Sequence, residues 1–192
     1  DYSLTNSCNS IVNVKLFIEG YYDAAGAIKP VKFNQDGVSP TTDVADVTVE
    51  LYDSTTLALV DTTTAVLKTD GTAVCTFTTS PSGSFYLSVK GSNFIQTWSS
   101  APVAVGSTPL DYDFSDAVTK AYGDNMVLVD GVYAFFSGEL NGDGNVDNAD
   151  FSLWETDANE FAFGNFITDL NGDGNVDNAD FSIWEANANN FV

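Results

Sequence analysis

The chain has 192 residues, 44% of them hydrophobic, and sets 27 acids against six lysines, with no arginine or histidine and a formal charge of −21. That is enough length and apolar content for one or two packed domains. The missing basic face excludes nucleic-acid binding, and the missing histidine excludes Ser-His-Asp and Cys-His catalysis and His-liganded zinc.

From its N-terminus the chain opens at Asp1, and its only methionine is Met126. This fits a mature chain whose signal peptide has been removed. With a sequence pI near 4.1, it predicts an extracellular protein. Cys8 and Cys75 are the only cysteines, and an even count in a secreted chain predicts a disulfide between them. Two buried thiols, or a bond between subunits, are the alternatives.

Residues 1–136 alternate apolar and polar positions between clusters of Gly, Pro, Asp and Ser. Val12, Val14, Leu16 and Ile18 share one face of a first strand. Val47, Val49 and Leu51 repeat the pattern, as do Ala73, Cys75 and Phe77, and then Phe85, Leu87 and Val89. Further strands are predicted at 94–98, 110–114, 126–129 and 132–136, with turns at Asp70-Gly71, Ser82-Gly83 and Asp130-Gly131. Roughly seven to nine short strands at this spacing predict a mainly β fold, an N-terminal antiparallel β-sandwich of Ig-like or Greek-key type over 1–136. Thr62-Thr63-Thr64 reads as a solvated strand face or as sites for O-linked sugar. Trp98, Tyr21 and Tyr22 serve either the core or a sugar-stacking surface.

Residues 137–192 differ in kind, with twelve acids and no base. Leu140 to Ser152 recurs without change as Leu170 to Ser182. Each copy, with the residue before it, contains a twelve-residue EF-hand-type calcium loop, 139–150 and 169–180. A hard cation needs many oxygens, and a short loop wraps it only where oxygen-bearing side chains alternate with turn residues. Asp169, Asn171 and Asp173 fill loop positions 1, 3 and 5. Gly174 takes the turn, the main-chain carbonyl of Asn175 serves position 7, and Asp177 and Asp180 fill positions 9 and 12. The first loop matches through Asn141, Asp143, Gly144, Asn145, Asp147 and Asp150, but begins with Glu139, one methylene longer. Two calcium ions are therefore expected, the second held more tightly. Val146 and Val176 at position 8 are placed for the loops to face each other.

After each loop comes one helix. Phe151, Trp154, Ala158 and Phe161 fall on one helical face, and Phe181, Trp184, Ala188 and Phe191 repeat the stripe. Eight large aromatic residues in so small a module exceed what its interior holds, so rings near Phe163 to Phe166 and on the second helix are expected at the surface, where an apolar patch marks a contact.

On the tandem loops, each closed by Asp at position 12 and followed by one helix, residues 137–192 resemble a dockerin, an extracellular prokaryotic module that binds cohesin domains. The resemblance implies that Asn148, Ala149, Asn178 and Ala179, at loop positions 10 and 11, contribute to the recognition face with the following helices. Here they replace the Ser-Thr pair common in cellulosomal dockerins.

No catalytic pair of carboxylates is apparent. Of six glutamates, four lie in 137–192, and Glu19 and Glu50 sit in predicted strands. The expected function is a non-enzymatic, calcium-binding structural protein that assembles head-to-tail, through its sandwich and its C-terminal module, with Phe163, Phe166 and Trp184 at the contact. The alternatives are docking onto a cohesin-like partner, or a carbohydrate-binding sandwich anchored by its C-terminal module.

Overall fold

Apolar residues spaced two apart close two sheets on one core. The computed structural model describes residues 9–190 and 192; Cys8 and Phe191, and with Cys8 the expected disulfide, lie outside them. In chain order the strands and helices are β1 (Ser10–Lys15), β2 (Tyr22–Ala24), β3 (Ala27–Ile28), α1 (Val31–Asp36), β4 (Asp43–Asp53), β5 (Leu59–Lys68), β6 (Thr72–Phe77), β7 (Gly83–Lys90), β8 (Thr97–Trp98), β9 (Val103–Val105), β10 (Leu110–Asp113), β11 (Val127–Val129), β12 (Val132–Ala134), α2 (Asn148–Asn159) and α3 (Asn178–Asn189).

One sheet has the order β10-β1-β6, and the other runs β5-β4-β7-β8 with β9 also on β7. Val12, Val47, Val49, Leu51, Leu87 and Val89 are wholly buried between them, so the alternation in the sequence marks the inward faces correctly. Phe94, Phe114 and Phe135 close one end, the rings of Phe114 and Phe135 meeting edge to face at 5.1 Å. A second apolar cluster holds Leu140, Trp154, Leu170 and Val176. The fold is mainly β, as expected.

Three features depart from the reading of the sequence. The sandwich is not purely antiparallel, because β10 runs parallel to β1 (Val12 opposite Leu110). The chain reaches β10 after crossing from β9 in the other sheet, and so enters beside β1 in the same direction. The ten-residue strand β5 was signalled only by the strand-face reading of Thr62-Thr63-Thr64. Ala65 and Leu67 face inward there, but exposed Leu59 and Val60 break the period. Helix α1 has no apolar stripe; it follows Pro30 and stops at Gly37, whose φ of 68° is the left-handed conformation favoured after a helix.

Cys75 is buried in β6, and burial pushes its thiol up to about 12. Phe135 meets both other end-closing rings, Phe94 and Phe114, and its main chain bonds Phe17 and Glu19. Phe135→Ala is expected to lower the free energy of unfolding by about 3–5 kcal/mol, measured by urea denaturation.

Candidate functional site

Each repeated loop is a run of side-chain-to-backbone turns. In the second, Asn171 Oδ1 accepts the N–H of Asp173 at 2.8 Å and Asp173 Oδ1 that of Asn175 at 2.9 Å. Asp177 Oδ1 accepts the N–H of Ala179 at 2.7 Å and so caps α3. Asp180 turns back to take the N–H groups of Asn171 and Asp177, at 2.9 and 2.8 Å. The first loop repeats this. Asn141, Asp143 and Asp147 accept from Asp143, Asn145 and Ala149. Asp150 takes the N–H groups of Leu140, Asn141 and Asp147. Gly142, Gly144, Gly172 and Gly174 all have positive φ, from 70° to 92°, which is why the turns need glycine. Glu139 still reaches the N–H of Gly142, as Asp169 reaches that of Gly172.

The residues chosen from the sequence as calcium ligands are thus brought together loop by loop. Among the described residues no three acidic side chains form a tight cluster of their own. The candidate donors are carboxylates and asparagine amides. Such a donor set fits a hard cation and offers nothing to a thiophilic or imidazole-bound metal. Burial pushes the Asp180 carboxyl up to about 6, and the charges of Asp169 and Asp173 push it the same way against the lowering effect of its two N–H donors.

The loops do not face each other through their valines. The N–H of Val176 donates to Ala162 O, just after α2, and that of Val146 to Val192 O, just after α3. Each loop is therefore braced by the exit of the other repeat's helix. Phe151 meets Trp184 at 5.1 Å, and Trp154 meets Phe181 at 5.2 Å, the same contact made twice in exchanged roles. The exchange fails at one atom. Trp184 Nε1 donates to Asp147 O at 3.0 Å, whereas Trp154 Nε1 is buried without a partner among the described residues.

Of the candidate contact residues, Asn148, Ala149, Asn178 and Ala179 are exposed at the starts of α2 and α3. Phe163 is 79% and Phe166 37% exposed, while Trp184 is half-buried. Phe161, assigned to the buried stripe, instead follows α2 with a φ of 52° and is 85% exposed. Tyr21 and Tyr22 belong to the core. Trp98 lies against Tyr52 at 4.3 Å, so its neighbour covers part of its ring.

Sequence reasoning missed the surface on which the second loop rests. Lys29 Nζ donates to Asn171 O at 2.8 Å, Asn34 Nδ2 to Gly172 O at 2.7 Å, and Gln35 Nε2 to Asp169 Oδ2 at 2.9 Å. A Cβ on Gly20 would lie 2.0 Å from Leu170 O, and one on Gly174 would lie 2.6 Å from Asn34 O. Beside this seat Glu19 accepts from Ser137 N and from Asn187 Nδ2, and Asn187 also donates to Ser137 O. The available signals were Gly20 and an isolated polar run ending at Gly37, both too common to single out.

Burial raises the Glu19 carboxyl, against the lowering effect of its bonds from Asn187 and Ser137. Its folded pKa exceeds its unfolded one, so folding is penalised increasingly as pH rises from the ordinary carboxylate range through the raised value. Glu19→Gln keeps an acceptor oxygen and removes the charge. Its melting temperature should exceed that of the parent at pH 7, and the gap should shrink on acidification.

No protein-family model matches the chain, and no curated protein matches it. Among the solved structures that resemble it are a C-terminal and an N-terminal interface mutant of a type II cohesin–X–dockerin complex from Acetivibrio cellulolyticus. They share 17% and 14% identity with TM-scores of 0.53 and 0.52, and each match covers 93% of this chain and 95% of that chain. At such identity the likeness is one of fold. It corrects the dockerin resemblance of residues 137–192. The match runs through the whole β-rich chain rather than through a short helical module, and the first half of its second loop rests on the β part instead of standing free. The comparisons place the chain among β-rich folds of the kind found in that docking complex.

Proposed function

We propose that this protein is a non-enzymatic, calcium-binding docking protein that works outside the cell by binding another protein. The docking half of this reading rests on the fold, which resembles that of a cohesin–X–dockerin complex along nearly the whole chain. The partner is a protein of the cohesin–dockerin class. Head-to-tail assembly has no comparable support, since nothing in those complexes is described as a self-polymer.

Calcium is supported by the loops themselves. Glu139, Asn141, Asp143, Asn145, Asp147 and Asp150 would hold one ion, and Asp169, Asn171, Asp173, Asn175, Asp177 and Asp180 the other. A bound cation supplies the charge that offsets repulsion among these carboxylates. The loops then orient the starts of α2 and α3, since Asp150 and Asp180 both close a loop and join the cap of a helix.

Calorimetric titration of the chelator-stripped chain should report two calcium sites. Asp173→Ala should weaken binding more than Asn141→Ala does, because it deletes a charge as well as an oxygen. Surface-immobilised chain should bind one of two probes, a type II cohesin or a type II X–dockerin pair, and lose it in chelator. Binding of neither probe by the calcium-loaded chain overturns the docking assignment. A titration without heat overturns the calcium assignment. Growth in particle size with concentration in calcium would make a second copy the partner.

A further inference from the structure

Two loops identical at eleven of twelve positions, differing only in Glu139 against Asp169, sit in different surroundings. From Leu140 to Ser152 and from Leu170 to Ser182 the residues are identical. Asn141, Gly142, Asp143 and Gly144 are nevertheless exposed, whereas Asn171, Gly172 and Gly174 are buried. A Cβ on Gly142 or Gly144 would meet nothing within 4 Å among the described residues. On Gly172 it would lie 2.4 Å from Val31 and on Gly174 2.6 Å from Asn34 O. Intrinsic loop chemistry does not account for that difference; α1 and the residues before it do.

We propose that Gln35, with Asn34 and Lys29, is a positioning residue for the second calcium loop alone, so that calcium in 169–180 and the seating of 29–35 on that loop are one linked equilibrium, while 139–150 binds calcium independently. This rests on the calcium reading above. Asp169 Oδ1 takes the N–H groups of Gly172 and Asp173, and Oδ2 takes that of Gly174 and the Gln35 amide. The carboxylate at loop position 1 is thus held at both oxygens by protein donors. Asn34 and Lys29 hold the main-chain carbonyls of Gly172 and Asn171, and so the curvature between positions 3 and 5. Partners that orient ligands in this way commonly change metal affinity 10–100-fold. Linkage works in both directions, and ion binding must tighten α1 by as much as α1 tightens the ion. The second site becomes a structural clamp, and the first, exposed site is the one left to follow the calcium level around the protein.

The test isolates each loop. In an Asp143→Ala background the second loop is the intact one, and in an Asp173→Ala background the first. Gln35→Ala should lower calorimetric calcium affinity about 10-fold in the first background and leave it unchanged in the second. Asn34→Ala, which spares the Asp169 carboxylate, should act in the same direction. Amide hydrogen exchange should show residues 31–37 gaining protection from calcium in the Asp143→Ala chain and none in the Asp173→Ala chain, with circular dichroism confirming that both are folded. Equal effects of Gln35→Ala in the two backgrounds, or calcium protection of 31–37 in both, overturns the proposal while leaving the calcium reading intact. Absence of calcium heat in every background removes the calcium reading itself.

Discussion

Two carboxylates with no exposed surface, Asp150 and Asp180, organise the C-terminal third of the chain. Leaving a buried carboxylate without hydrogen bonds is prohibitively unfavourable, so the backbone folds back to supply them. Leu140, Asn141 and Asp147 donate to Asp150; Asn171 and Asp177 donate to Asp180. One residue therefore closes a twelve-residue loop and completes a reciprocal cap on the helix that follows. The bend of the loop, the start of the helix and the gathering of oxygens are consequences of satisfying the same two atoms. Asp fits where Glu is usual in such caps, because the shorter arm keeps the carboxylate at the helix start.

The repeats then pack by exchange. Each helix offers one Phe and one Trp to the other, and each loop is braced at its valine by the chain leaving the other helix. A unit built this way can expose both loops equally. Here it does not, because one of its two equivalent sides is placed on α1 and the Glu19–Tyr21 turn. Gly20 permits that approach, since any side chain would meet the Leu170 carbonyl. Beyond the Glu139 and Asp169 difference at position 1, the residues the loops share are set apart by position. The orphaned indole nitrogen of Trp154, beside the satisfied one of Trp184, shows that the exchange is imperfect within the helical unit too.

The inward faces of the main strands were legible, because burial between two sheets forces a period of two: Val47, Val49 and Leu51 need no other information. The turns of the two repeated loops were legible as well, since the Asn, Asp and Gly residues that build them lie within twelve consecutive positions. β5 was hidden, because an edge strand with Leu59 and Val60 in solvent has no clean inward face. The seat of the second loop could not be read. Lys29, Asn34 and Gln35 are polar residues of ordinary appearance, and their partners lie 134 to 142 positions away. The dockerin resemblance erred in the opposite sense. It took a local motif for a module, where the contacts bind the motif into the β-rich chain.

Charge bears on why that seat matters. The C-terminal third holds twelve acids and no lysine, whereas all six lysines lie in the rest of the chain. Lys32, Lys68 and Lys90 pair with Asp46, Asp43 and Glu50 on the β part. Lys29 alone among the described lysines is aimed at a repeated loop, and it donates to a main-chain carbonyl there. The first loop has no such neighbour among the described residues, so no lysine offsets the charge of its carboxylates. The second has a lysine nearby and the Gln35 amide on the Asp169 carboxylate. Two loops that share eleven of twelve residues thereby differ in their charge surroundings, and that difference follows from which of them the β part covers.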